Sequence, residues 1–198
     1  MNYFFSKKKA GQIAKIWSNE NKVIGIVGSQ EKSEWITNQL NFDLGVIYKQ
    51  EGWEKQLERY LIETNQKENS VDVYFDNVGG NVSEKILPLM DLRSTIILCG
   101  QIASYEETDA YPPPISRNSQ FIINSRCIKR DRYLVLNYSD KLGEAVRDLV
   151  GWYLDGKLVI KETRTNGIES IPSSFVSVMN GGKKIKKLLF FSYHFIYF

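Results

Sequence analysis

The 198-residue chain has only two cysteines and one histidine. Cys99 and Cys127 lack metal-site spacing, and Cys99 sits inside the apolar run TIILCG, where a buried, inert thiol is the expected role. No metal is expected, and a reducing, cytoplasmic setting is. Long apolar runs are also missing. The longest, LLFFSYHFIYF, has 11 residues, against the roughly 20 that a membrane-spanning helix needs. The N-terminus carries no signal-peptide core, so neither targeting nor a membrane partner is expected. Charge of one sign is equally scarce. Lys and Arg number 26 against 23 Asp and Glu, a net +3, too small to argue for a nucleic-acid partner or an anionic membrane surface. The lysine runs at Lys7–Lys9 and Lys183–Lys187 are short and read as solvated surface.

A fourth absence is local. In FFSKKKAGQIAKIWSNENKVIGIVG, Ala10 to Ala14 read as the body of a helix and Lys22 to Val27 as the strand after it. Nothing before Ser6 supplies the strand and glycine turn that such a helix normally follows, so the chain is expected to begin inside a fold.

What is present is an alternation of periods. KVIGIVGS is a β-branched run ending in glycine, and QEKSEWITNQLN then places Trp35, Ile36 and Leu40 at helical spacing. GVIYK follows as strand, WEKQLERYLIET as helix, VDVYFDNVG as strand, VSEKILPLMD as helix and STIILCG as strand. Strands apolar at nearly every position, alternating with helices of about ten residues, indicate a parallel sheet covered on both faces. The fold class expected is therefore a doubly wound α/β domain, whose ligands bind outside the carboxyl ends of the strands.

Polar residues and glycines gather at those ends. KVIGIV ends at Gly28 and Ser29, with Lys32 on the next turn. A dinucleotide fold commonly carries there an acid that holds the ribose 2′-hydroxyl and repels a 2′-phosphate. With the acid missing and a lysine near, a cofactor site would favour NADPH; the alternative is a surface lysine muted by Glu31 and Glu34. Asn77, Gly79 and Gly80 in FDNVGGN either let a backbone approach a ligand or merely permit positive φ in a turn. The long loop CGQIASYEETDAYPPPIS, carrying Tyr105, lies where binding residues usually gather. Its prolines, Pro112 to Pro114, stiffen it towards extended polyproline geometry, which also suits a recognition ligand or a spacer.

Taken together, VDVYFDNVGGN, IILCGQIASY, YPPPIS, RYLVLNY, GKLVIKET and NGIESIPSSFVSVMNGG resemble the medium-chain dehydrogenase/reductase superfamily in its zinc-independent prostaglandin reductase branch, the 15-oxoprostaglandin 13-reductase type. The likeness runs in order from about Ala10 to about Leu189. It implies a Rossmann-type sheet and an NADPH-dependent enzyme that reduces the 13,14 double bond of 15-oxoprostaglandins and related α,β-unsaturated ketones without a metal. Hydride goes to the β-carbon, the resulting enolate oxygen is stabilised by a hydrogen bond, and the α-carbon is protonated. By matching position, the resemblance assigns Lys32 to the 2′-phosphate and Tyr48 to the adenosine phosphate pocket. Asn77 with Cys99, Gly100, Gln101, Ile102, Ala103, Ser104 and Tyr105 would contact the cofactor's ribose and pyrophosphate. Tyr105 is the candidate catalytic residue, its hydroxyl serving the enolate. Tyr133, Leu134 and Val135 would pack at the nicotinamide, with Leu134 and Val135 also facing substrate; the family usually has Phe where Tyr133 stands.

Departures from the family are as telling. Its glycine-rich turn, whose N–H groups bind pyrophosphate at a helix N-terminus, is replaced by MNYFFSKKK. The barrel-like catalytic domain that forms the other wall of the cleft has no counterpart. In GGKKIKKLLFF, Lys183 stands for a cofactor-contacting Asn and Ile185 for a glycine, and the tail with His194 resembles nothing in the family. The expected organisation is a truncated NADP-binding domain over 1–156 lacking its first strand and glycine-rich turn, a returning segment of the catalytic domain over 157–189, and a non-family tail over 190–198. Val159, Ile160, Phe175 and Val178 would lack their usual cover. The alternative to an enzyme is a non-catalytic remnant with weak cofactor binding, or one that pairs as a homodimer through an edge strand such as STIILC.

Overall fold

The computed structural model describes residues 3–5, 8–65, 70–104, 114–161, 163–179, 187–191 and 194–197. It divides the chain into two compact units, Met1–Trp152 and Tyr153–Phe198. In the first, strands β1 (Tyr3–Phe5), β2 (Lys22–Val27), β3 (Leu44–Ile47), β4 (Val71–Asp76), β5 (Met90–Leu98) and β6 (Lys129–Arg132) form one sheet in the order β3-β2-β1-β4-β5-β6. Every neighbouring pair is parallel. The connecting helices are α1 (Lys8–Trp17), α2 (Gln30–Leu40), α3 (Trp53–Asn65), α4 (Gly80–Ile86) and α5 (Arg117–Ser125), and α6 (Leu142–Leu154) follows β6.

Alternation within β2 shows why the sheet needs cover on both faces. Val23 and Val27 pack with Ala14, Ile36, Leu40 and Phe42 on one side. Ile24 joins Val46, Leu57, Leu61, Val71, Ile86 and Met90 on the other. A strand with period-two side chains and two apolar faces has no solvent side, which accounts for its near-continuous apolar run.

Three expectations are corrected. The slot of the first strand is filled: Tyr3–Phe5 pairs with both β2 and β4. Without a strand there, the facing N–H and C=O groups of β2 and β4 would be buried unpaired, and a Tyr-Phe-Phe triplet is of strand-favouring type. STIILC, in turn, is no edge. It lies in β5 between β4 and β6, so the edges are β3 and β6. The helix expected through VSEKILPLMD ends at Ile86 and tightens into a 3-10 turn over Leu87–Leu89 containing Pro88. Strand β5 then starts early, at Met90, and shifts register before Thr95, with Arg93 at φ 59°.

The second unit has β7 (Thr163–Asn166), α7 (Ile171–Met179), β8 (Lys187–Phe191) and β9 (His194–Tyr197). Strand β7 pairs parallel with β8, and β8 antiparallel with β9. Val159, Ile160 and Phe175 are exposed, as expected for residues short of cover; the side chain of Val178 lies outside the described set. Among the described residues no helix is long and apolar enough to cross a membrane.

One ion cluster ties the first unit's α1 side together. The Asp43 carboxylate meets Lys15 Nζ at 2.5 Å and Lys22 Nζ at 3.1 Å, and accepts the Val23 N–H at 2.8 Å. Burial pushes the Asp43 carboxyl up, but the ammonium of Lys15, the Val23 N–H and Lys22 outweigh it and hold it below the usual carboxylate range. A carboxylate lowered on folding stabilises the fold above its unfolded pKa near 4 and loses that contribution as pH falls through the folded value. Asp43→Asn should therefore cost about 1–3 kcal/mol at pH 7, and wild type and variant should converge towards pH 2 in urea titrations. A constant gap from pH 7 to 2 would refute this role.

Candidate functional site

All six strands point their carboxyl ends to one edge, and the residues singled out in the sequence collect there in two groups. The first group sits after β2 and β3. Val27 pairs with Ile47, so Gly28 and Tyr48 emerge side by side. The Tyr48 N–H donates to Val27 O at 3.0 Å. A Cβ placed on Gly28 would stand 3.3 Å from Tyr48 Cε1, so the phenol lies against bare backbone. Ser29 caps α2, its hydroxyl accepting the Lys32 N–H at 3.4 Å. Lys32 thus sits in the first turn of α2, beside an end of β2 that carries no acid.

The second group follows β4, β5 and β6 and is organised by Asp76, which the sequence reading passed over. Its buried carboxylate accepts four hydrogen bonds: from Val78 N at 2.9 Å, Gly79 N at 3.0 Å, Tyr74 Oη at 2.9 Å and Ser83 Oγ at 2.7 Å. Its main-chain carbonyl accepts Cys99 N at 2.8 Å and Gly100 N at 3.2 Å. Ile102 N reaches Asn77 O at 3.3 Å, and Ala103 N reaches Val78 O at 2.9 Å. The loop from Cys99 to Ser104 is thereby laid on the β4 turn. Gly79 is required in that turn: its φ is 69° and ψ −162°, and a Cβ would meet Gln101 Cβ at 3.0 Å, in a region open essentially to glycine alone. Burial, with the Asp76 charge beside it, raises the Tyr74 phenol well above its ordinary range, so Tyr74 remains a donor.

Two buried polar atoms at these strand ends, Asn77 Nδ2 and Gln101 Oε1, have no hydrogen-bond partner among the described residues. An unpaired buried donor and acceptor cost about 1–3 kcal/mol each, and such orphans are uncommon outside sites that receive a ligand or water. Tyr133 joins this end through its N–H to Leu98 O at 2.9 Å, and its ring stacks on Tyr138 at 5.2 Å. Tyr133, Leu134 and Val135 are all exposed. Tyr105 lies outside the described residues, as does Lys183. A cavity of about 220 Å³ opens on the α4 and α5 side of the same end, lined by Asp76, Gly79, Ser83, Gln101, Ser104 and Ser116 among others. No cluster of three His, Cys, Asp or Glu suited to a metal occurs among the described residues.

The strand order β3-β2-β1-β4-β5-β6 and this edge define a class, a doubly wound α/β domain of the dinucleotide-binding type. No family model matches the chain, but individual proteins do. It is 36% identical over 183 residues to YfmJ of Bacillus subtilis, named provisionally as an NADP-dependent oxidoreductase, covering 90% of this chain and 50% of that protein. It is 33% identical over 181 residues to rat prostaglandin reductase 1, covering 89% of this chain and 52% of the relative. The crystal structure of CurA from Vibrio vulnificus in complex with NADPH superposes with a TM-score of 0.82 at 26% identity, over 95% of this chain and 56% of that one. The homologues are NADP-dependent oxidoreductases of the zinc-independent medium-chain dehydrogenase/reductase family, and the chain spans about half the length of the curated relatives it matches.

Because the Asp76 carboxylate serves four donors at once, removing it should loosen the turn after β4. Asp76→Ala should cost about 2–4 kcal/mol, and Tyr74→Phe, which leaves three donors on the carboxylate, about 1 kcal/mol. Equal losses in the two variants by denaturant unfolding would argue against the carboxylate as the organising group.

Proposed function

We propose that this chain is the nucleotide-binding part of an NADPH-dependent reductase whose complete form reduces the double bond of α,β-unsaturated ketones, with 15-oxoprostaglandins and their 13,14 double bond as the substrate class. The observation that carries the reading is the pair Asn77 Nδ2 and Gln101 Oε1, a buried donor and acceptor without a partner among the described residues, at the strand ends where folds of this kind bind ligands. The missing acid after β2, with Lys32 in its place, fits a 2′-phosphate. Relatives named as NADP(H)-dependent enzymes support the same choice.

Lys32 then holds the 2′-phosphate and Tyr48 lines the adenosine end against Gly28. Asn77 and the stretch Cys99 to Ser104 meet the ribose and pyrophosphate, chiefly through the side-chain amides of Asn77 and Gln101. Tyr133, Leu134 and Val135 exclude water beside the nicotinamide, and Leu134 and Val135 also touch substrate. Bound there, NADPH supplies the hydride that the substrate's β-carbon receives. The Tyr105 hydroxyl donates a hydrogen bond to the substrate carbonyl oxygen as it becomes an enolate, an interaction stronger in the transition state than in the ground state. Lys7–Lys9 in place of a glycine-rich turn weaken pyrophosphate binding relative to the relatives.

A second reading is favoured by the exposure of Tyr133, Leu134, Val135 and Leu136: by itself this chain has one wall of a cleft, and it binds cofactor weakly without turnover. The purified 198-residue protein should accordingly show no enone reduction, read as NADPH oxidation with a 15-keto prostaglandin; measurable turnover would overturn this second reading. In a chain completed with a catalytic domain, Tyr105→Phe should lower kcat by about tenfold or more while changing NADPH affinity by less than about twofold. Equal effects on both would remove Tyr105 from the chemistry.

A further inference from the structure

The sequence gives the end of β2 one cation, Lys32, but the fold brings a second. Lys49 follows Tyr48 after β3, and its stem crosses the same bare backbone: a Cβ on Gly28 would stand 3.3 Å from Tyr48 Cε1, 3.5 Å from Tyr48 Oη and 3.7 Å from Lys49 Cε. The absence of a side chain at Gly28 is what admits both neighbours. Lys49 is exposed and has no ion-pair partner among the described residues. Its stem runs beside Gly28, at the turn that leads through Ser29 into the 11-residue α2, whose first turn carries Lys32. A lysine after β3, a lysine in the first turn of α2 and a tyrosine hydroxyl beside one bare glycine make a setting for a dianion rather than for a neutral ribose hydroxyl.

We propose that Lys49 is a specificity-determining residue of this site, sharing the 2′-phosphate with Lys32 and so selecting NADPH over NADH. The assignment rests on the cofactor reading above and extends it to a residue that reading did not use. Its chemistry is simple charge pairing: the terminal phosphate of the 2′ position is a dianion near pH 7, and a second cation roughly doubles the opposing charge without adding a desolvated group.

The test uses the purified chain and two probes, 2′,5′-ADP and 5′-AMP, which differ in the 2′-phosphate, with calorimetric or fluorescence-detected binding. Wild type should prefer 2′,5′-ADP. Lys49→Gln should weaken 2′,5′-ADP about threefold to tenfold and change 5′-AMP by less than about twofold, and Lys49→Arg should retain the preference. The salt dependence of 2′,5′-ADP binding should also become shallower in Lys49→Gln. If Lys49→Gln leaves the preference intact while Lys32→Gln abolishes it, or weakens both probes equally, the proposal fails and the cofactor reading stands. If wild type binds the two probes equally, or neither, the cofactor reading fails and takes this assignment with it. Circular dichroism of the variants checks that exposed Lys49 contributes nothing to folding.

Discussion

A single buried carboxylate governs the geometry of the site. Asp76 ends β4, gathers four donors on its side chain and two on its carbonyl, and so fixes both the turn into α4 and the start of the loop after β5. A charge in a low-dielectric setting is tolerable only when its lone pairs are met. Meeting them forces Val78 and Gly79 to turn their N–H groups inward, which in turn demands the left-handed backbone at Gly79. Asn77 Nδ2 and Gln101 Oε1, buried and without a partner among the described residues, belong to the two segments that Asp76 joins.

The other strand ends are built on the opposite logic. After β2 and β3 no buried acid draws the backbone in, and the site is an open ledge: a bare glycine, a capping serine, a phenol and two lysines. The exposed Lys49 keeps its hydration on such a ledge and loses little on folding. Specificity for a phosphate can thus reside in charge count, whereas orientation of the remaining ligand falls to the preorganised β4 and β5 end.

The sheet also explains why these ends work together. Parallel strands with both faces covered expose their polar groups only at the two edges where turns occur, and a central strand is needed to keep β2 and β4 from parting. Tyr3–Phe5 takes that position with three residues. On the surface side, Tyr133, Leu134, Val135 and Leu136 form a run of exposed apolar residues after β6.

Much of this was legible in residue order. The alternation of apolar strands and amphipathic helices determines a parallel, doubly covered sheet, because period-two and period-3.6 patterns can be satisfied together only in that layering. Lys32, Asn77 and Gly79 also declare themselves, since each lies directly after an apolar run. Tertiary structure alone decided the rest. Asp76 reads as one more polar residue until Tyr74, Ser83 and the β5 loop converge on it, and Lys49 meets Gly28 only because Val27 and Ile47 are in register. Pairing with β6 likewise made β5 an interior strand rather than an edge. Local periodicity encodes which residues face inward, but which strand ends become neighbours depends on hydrogen-bond register between segments distant in sequence, and no local pattern carries that information.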